Sequence, residues 1–325
     1  MLIYCGIDEA GYGPMLGPLC IGLSAFRVDD ADPAKGPPDM WNLLSDSVCT
    51  TARDRRKRIA VADSKKLKGS SGSKLHPLRH LERGVLAFSC MNKDLPRTDA
   101  ELLEMLDRSG SIDMEAPWNI DSMPIPVAHS EDTIGIASSM LARTCDAAGV
   151  RDCMLGCECI DVQRFNEQVQ LFRNKSGINF SAIMRLVQQV RDRWPGEHPR
   201  VIIDRQGGRQ HYLRPLQMTF PDASFEILGE SERVSRYRLD DESGPLTLSF
   251  ETASETTHLP VALASMVAKY TRELMMRRLN CFFTREVPDL DPTAGYVQDA
   301  RRYLVEVEPV IKRLGVPREQ LVRSL

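Results

Sequence analysis

The sequence predicts an α/β fold, and three observations carry that expectation. Short apolar runs alternate with longer stretches of helical periodicity, the pattern of a sheet covered by helices. Two of those runs, Leu2-Ile3-Tyr4-Cys5 and Arg200-Val201-Ile202-Ile203, read as buried strands that lead directly to an acid, Asp8 and Asp204. Open α/β sheets place their sites at that carboxyl edge. The third observation is a long helix expected over 259–279, with Pro260 in its first turn and small residues from Ala262 to Ala268 that let it lie close to a sheet.

In chain order, residues 2–5 form the first strand and 17–28 the second, pairing as a hairpin. Residues 29–39, rich in proline and acids, read as an exposed loop. Residues 83–91 (RGVLAFSCM) are a strand candidate. A helix is expected over 132–148, with Ile134, Ala137, Met140 and Leu141 on one side. A strand follows over 152–162, then a helix over 179–194 with Asn179 as its N-cap. After the strand at 200–204, further strands are expected at 224–228, 233–239 and 245–251. The last two form a hairpin around 240–244. A final helix is expected over 299–314, and no fixed-period repeat is visible.

The chain has 325 residues, 42% of them hydrophobic and 27% charged, ordinary values for a soluble globular protein. No apolar run is long enough to span a membrane, and the N-terminus lacks a signal-peptide pattern. Nine cysteines with no regular framework point to reduced thiols and a cytoplasmic protein. Cys153, Cys157 and Cys159 share parity, so a strand would put them on one face. They are three where structural zinc needs four ligands, and buried thiols are the expectation. The six histidines form no metal-binding pair. Net charge is −3, yet residues 53–68 carry eight basic and two acidic residues, and 94–121 reverse the balance with eight acids against two arginines. Such segregation can give a neutral protein a basic face.

Gly6-Ile7-Asp8-Glu9-Ala10-Gly11-Tyr12-Gly13-Pro14 is the most informative stretch. Successive strand side chains point to opposite faces. Either one of Asp8 and Glu9 leaves the site, or the backbone kinks near Ala10-Gly11 and both line it. Acids at two strand ends, with Glu273 on the long helix, would repel one another strongly. Two divalent cations would relieve that repulsion and support in-line phosphoryl transfer.

These motifs resemble type 2 ribonucleases H, ribonucleases HII and HIII. The resemblance rests on Gly6 to Pro18, on Asp63-Ser64-Lys65-Lys66-Leu67, on Val201-Ile202-Ile203-Asp204, on Ala264 to Glu273 and on Gly295-Tyr296, in the family's order. It implies a ribonuclease H-like mixed sheet flanked by helices, with a helical C-terminal portion over about 280–325 and insertions at about 29–60, 94–121 and 233–251. It implies that Asp8, Glu9, Asp204 and Glu273 are catalytic and bind Mg2+ or Mn2+, two ions in all. It implies that Ser64, Lys65 and Lys66 bind substrate, the lysines through phosphates. Gly11, Tyr12 and Gly13 would approach ribose 2′-hydroxyls, and Tyr296 would stack on a sugar of the DNA strand. The implied partner is an RNA/DNA hybrid, cut in its RNA strand by a monomeric enzyme to leave 5′-phosphate ends.

The chain also departs from the family. Tyr12 stands where ribonucleases HII have arginine, Glu273 where they have aspartate, and Arg205-Gln206-Gly207-Gly208 follows Asp204 in place of Asp-Gly. Arg301 lies near the place of the family's late histidine. These differences motivate an alternative reading, a hybrid- or structured-nucleic-acid-binding protein with altered catalysis.

Overall fold

The computed structural model describes residues 1–29, 31–32, 36–69, 75–106, 112–113, 115–205, 207 and 209–324. Asp107, Gln206 and Gly208 of the sequence reading, with parts of the expected loop at 29–39 and of the 94–121 stretch, lie outside these. Nine strands are labelled β1 (Leu2–Ala10), β2 (Leu19–Val28), β3 (Val48–Cys49), β4 (Ile59–Ala60), β5 (Val150–Ile160), β6 (Pro199–Asp204), β7 (Ser224–Glu230), β8 (Val234–Asp241) and β9 (Gly244–Glu251). The helices are α1 (Met40–Leu43), α2 (Ser64–Leu67), α3 (Arg79–Ser89), α4 (Asp99–Leu106), α5 (Glu131–Ala147), α6 (Val162–Phe172), α7 (Lys175–Arg193), α8 (Leu213–Thr219), α9 (Leu259–Glu286), α10 (Val297–Leu314) and α11 (Arg318–Leu321).

Seven strands form one mixed sheet in the order β5-β2-β1-β6-β9-β8-β7. The expected hairpin of β1 and β2 is antiparallel, while β1–β6 and β6–β9 are parallel. Parallel pairing brings the carboxyl ends of β1 and β6 to one edge, so Asp8 and Asp204 become neighbours. The expected hairpin around 240–244 closes with Asp241 opposite Gly244, and together with β7 it extends the sheet at the edge away from β1.

Strand alternation divides the core. Leu2, Tyr4 and Ile202 face α3, α5 and α9, while Ile3, Cys5, Ile7, Val201 and Ile203 face the side covered by α7. A third cluster, including Met276, Phe283, Tyr303 and Val307, joins α9 to α10 and forms the helical C-terminal region. Helix α9 meets the sheet backbone to backbone. A Cβ on Gly6 would stand 2.2 Å from the Pro260 carbonyl carbon, and one on Gly22 would stand 2.1 Å from the Ala264 oxygen. The small-residue run of α9 is therefore matched by small residues in the strands beneath it.

The structure corrects several sequence expectations. Residues 83–91 are not a strand: they lie mostly in α3, whose buried Leu81, Val85 and Phe88 recur at helical spacing. The apolar run is short enough to suit either element, and its upstream residues decide the period. Helix α7 starts at Lys175, capped by Asn174, whose Oδ1 accepts from Gly177 N–H; Asn179 is an interior, fully buried residue instead. In α5, Met140 is exposed, and Ser138 and Cys145 join the buried side. The strand expected over 152–162 ends at Ile160, because Asp161 caps a helix not foreseen, α6. None of the nine cysteines forms a disulfide; Cys157 and Cys159 are buried on one face of β5 as expected, while Cys153 is only half-buried. Among the described residues no helix is long and apolar enough to cross a membrane.

Candidate active site

A cleft opens at the carboxyl edge of β1 and β6. Its walls include Asp8, Glu9, Asp204 and Glu255 among the acids, the turn from Gly11 to Pro14, and Ser64, Lys65, Lys269 and Tyr296. β1 stays regular through Ala10, with Asp8 opposite Gly22 and Glu9 opposite Ile21. No kink is needed to bring both acids to the cleft. Asp8 has the parity of Tyr4 and lies on the α9 side; Glu9 has the parity of Ile7 and lies on the α7 side. Both reach the cleft because the strand ends there. Gly11 follows at φ +89°, a left-handed conformation that suits glycine, and turns the chain across the opening.

Burial sets the electrostatics. It raises the Asp8 carboxyl well above its ordinary range, with Glu9 and Asp204 adding repulsion and the Ser265 hydroxyl drawing it back down. Burial and Asp204 likewise push Glu9 up to about 7, against the pull of the Asn179 amide and Lys65. Asn179 faces Glu9 from α7, yet neither of its polar atoms closes a hydrogen bond at normal geometry. Asp204 is raised by burial and by Glu255, while Ser254 lowers it through an O–H donated to Oδ1 at 2.9 Å.

The second motif lies across the cleft. Asp63 caps α2 by accepting from Lys65 N–H at 2.9 Å. Buried Ser64 shares a 2.9 Å hydrogen bond with Ser265, tying α2 to α9. Lys65 lines the cleft and lowers Glu9 and Asp204, whereas Lys66 is exposed beside it and is not part of the wall. Tyr12 and Tyr296 stand at the mouth, the first 36% and the second 55% exposed, so both rings can be reached from solvent. Burial and Glu9 raise the Tyr12 hydroxyl above its ordinary value, with Arg209 opposing them.

Of the four expected carboxylates, Glu273 is the one that does not line the cleft. It lies eight positions beyond Ser265 on α9, about 12 Å along a helix. Its Oε1 is held by Lys68 at 2.7 Å and Lys269 at 2.8 Å. Burial would raise its pKa, but these two ammonium groups outweigh burial and lower it. Glu255, in the 3-10 turn Ser254–Thr256 between β9 and α9, lines the cleft with Asp8, Glu9, Asp63 and Asp204. Sequence reasoning missed Glu255, Ser265, Lys269 and Asn179. Ser265 and Lys269 lay in a motif already noticed, while nothing local to 255 marks it out.

Among the described residues no three His, Cys, Asp or Glu side chains form a ready-made metal-binding group. The donor set nevertheless fits a hard cation. It is all oxygen, and the repulsion that raises Asp8 and Glu9 is what a divalent ion relieves.

No family model matches the sequence, and no curated protein matches it. Solved structures with a similar fold include ribonuclease HII of Archaeoglobus fulgidus, determined as a complex with PCNA, at 15% identity and a TM-score of 0.43 over 99% of this chain and 94% of that one. Bst ribonuclease HIII in complex with Mn2+ is similar at 13% identity and a TM-score of 0.44, over 99% of this chain and 66% of that one. Ribonuclease H2 from Pyrococcus horikoshii OT3 follows at 13% identity and 0.40, over 98% of this chain and 92% of that one. What the chain does is a question for the cleft itself.

Proposed function

We propose that this protein is a divalent-cation-dependent endonuclease that hydrolyses the RNA strand of RNA/DNA hybrids and leaves 5′-phosphate ends. One observation carries the reading: Asp8, Glu9, Asp204 and Glu255 share a cleft with a glycine-rich turn and Lys65. Clustered carboxylates alone would repel a nucleic acid. With Mg2+ or Mn2+ bound, such a cluster activates water and stabilises a leaving oxygen at phosphorus.

Asp8, Glu9, Asp204 and Glu255 would hold the cations, with Glu255 in the role that the sequence suggested for Glu273. Ser265 orients Asp8 through its hydroxyl, and Ser254 fixes Asp204. Lys65 offers a cation to a substrate phosphate and Lys66 extends that contact outward. Arg53, Arg55, Arg56 and Lys57, in the connection between β3 and β4, are exposed and would offer further cations to a long substrate. Gly11, Tyr12 and Gly13 present backbone to the ribose, whose 2′-hydroxyl separates RNA from DNA. Tyr296 offers its ring to a sugar. The test is a labelled hybrid incubated with Mg2+ or Mn2+, with EDTA as control. Cation-dependent cutting of the RNA strand is expected, and an uncut hybrid under every cation condition refutes the reading.

A further inference from the structure

The turn that crosses the cleft rests on two buried arginines. Arg323 follows α11 and is 2% exposed. Its Nε donates to Gly17 O at 2.8 Å and its Nη1 to Gly11 O at 2.5 Å. The guanidinium carbon lies 4.8 Å from the centre of the Phe165 ring. Arg323 N–H donates to Met15 O at 3.0 Å, and Leu16 bridges to Val322. Arg272 approaches from α9, its Nη2 donating to Leu16 O at 3.1 Å and Ala294 O at 3.0 Å. A Cβ on Gly11 would stand 2.5 Å from Arg272 Nε, so the guanidinium occupies the space beneath the turn.

Neither arginine forms an ion pair with a carboxylate among the described residues; the side-chain hydrogen bonds they make there go to carbonyls, and Arg272 Nε and Arg323 Nη2 make none. Burial, and then Arg272, lower the Arg323 pKa to about 9, with Cys20 and Cys159 opposing. A buried charge without a counter-ion costs folding free energy. What Arg323 contributes lies in what it holds.

The peptide between Gly11 and Tyr12 is planar and trans, so its carbonyl and its N–H point in opposite directions. Arg323 draws the Gly11 carbonyl inward, which turns the Tyr12 N–H outward. Neither Tyr12 N–H nor Gly13 N–H makes a hydrogen bond among the described residues, and both residues line the cleft. We propose that Arg323 is a positioning residue: by binding Gly11 O it fixes the Tyr12 N–H as a donor to a substrate oxygen, either a ribose 2′-hydroxyl or a phosphate. The identity of that substrate rests on the function proposed above, whereas the holding of the turn does not.

Asn166 on α6 secures the same segment without touching the turn. Its Nδ2 donates to Glu319 O at 2.8 Å and Val322 O at 2.9 Å, and its Oδ1 accepts from Ser324 N–H at 2.6 Å. This gives two independent variants, Arg323→Gln and Asn166→Ala, with Arg323→Lys as the conservative rescue. Amide hydrogen exchange at Met15 and Leu16, whose N–H groups bond to Gly295 O, reads the turn directly. Exchange there should accelerate about tenfold or more in Arg323→Gln and less in Asn166→Ala. On a long hybrid, Arg323→Gln should raise KM about tenfold with kcat within about threefold, and Arg323→Lys should recover part of the loss. In an Asp8→Asn background, a binding loss confined to ribose-containing duplexes assigns the oxygen to the 2′-hydroxyl. An equal loss on DNA duplexes assigns it to phosphate. Unchanged exchange in folded Arg323→Gln, or a fall in kcat at constant KM, overturns the proposal. If Arg323→Gln does not fold, Asn166→Ala and Arg323→Lys decide by the same readouts. If the wild-type protein cuts no hybrid, the proposed function fails while the exchange measurement still decides the role of Arg323.

Discussion

Lys68 Nζ lies 2.7 Å from Glu273 Oε1, and this contact across 205 residues of chain removes Glu273 from the acids that face the cleft. Glu255 faces it instead. Glu255→Gln should therefore lower kcat about 100-fold or more, while Glu273→Gln should stay within about threefold. Glu273→Gln should cost about 1 kcal/mol of stability, because two mostly buried ammonium groups lose their shared partner. Cleavage rates and urea midpoints of the two variants separate these effects.

Asp8→Asn keeps the side-chain shape and removes one charged oxygen. It should abolish cleavage and leave hybrid binding equal or tighter, since a carboxylate no longer faces phosphates. A gel-shift titration beside a cleavage assay checks both halves. Cleavage surviving in a rigorously purified Asp8→Asn protein would move the reacting centre elsewhere.

Tyr12 cannot supply the charge-assisted phosphate contact of an arginine, worth roughly 1.5–3 kcal/mol. A long hybrid can recover that loss through more phosphates along the basic 53–68 stretch, whereas a single ribonucleotide in DNA offers fewer 2′-hydroxyls to help. The expected result is a higher kcat/KM on a continuous hybrid than on a duplex with one ribonucleotide, at matched salt. Tyr12→Arg should narrow that difference.

The asymmetry between what was legible and what was not has a physical cause. Asp8, Glu9 and Asp204 could be read because each sits on or beside a run of apolar residues whose only plausible state is a buried strand. An acid there has no solvent to face except at the strand end. The glycine turn was equally plain. Glu255 sits in a short polar connection with no apolar run beside it, and its place depends on how β9 and α9 dock. Glu273 looked better from sequence because its helix is apolar, yet its partner Lys68 belongs to a distant segment. The same limit hid α3: residues 83–91 suit a strand, and only Leu78 and Leu81 upstream reveal the helical spacing. Asn179 reads as a cap from sequence, and only the folded structure shows it buried inside α7, with Asn174 as the cap.

Acid should weaken the protein through Glu251, which accepts from Ser249 Oγ at 2.6 Å and shares a 3.0 Å contact with His258 Nε2. Burial alone would raise its pKa, but the hydrogen bonds from His258 and Ser249 prevail and set it at about 2, below the ordinary 4.5. A depressed folded value means the stabilisation is complete above the unfolded pKa and disappears as pH falls through the folded one. The stability difference between wild type and Glu251→Gln should be constant above about pH 5 and shrink between about 4.5 and 2. Urea midpoints at pH 7, 4 and 2.5 measure it.

Arg278 and Asp99 form a fully buried bidentate pair, with Nε and Nη2 each donating at 2.6 Å, and Arg278 Nη1 also donates to Asn119 O at 3.0 Å. Arg278→Ala leaves a buried carboxylate without its partner and should cost about 3–5 kcal/mol. Arg278→Met combined with Asp99→Leu should restore most of that loss, as read from denaturation midpoints.

Where α9 crosses Gly6 and Gly22, main chain touches main chain, and the helix is seated on a hard stop and not on compressible side chains. The gap between Ser265 and Asp8 is then a dimension of the backbone, outside the reach of ordinary core mutations. Trimming Leu81 or Val85 should lower the melting temperature and leave turnover at permissive temperature unaltered. A single methyl added at position 22 acts on the opposite quantity. It wedges the helix away from the strand and changes the geometry of the reacting groups in a protein that can still be folded.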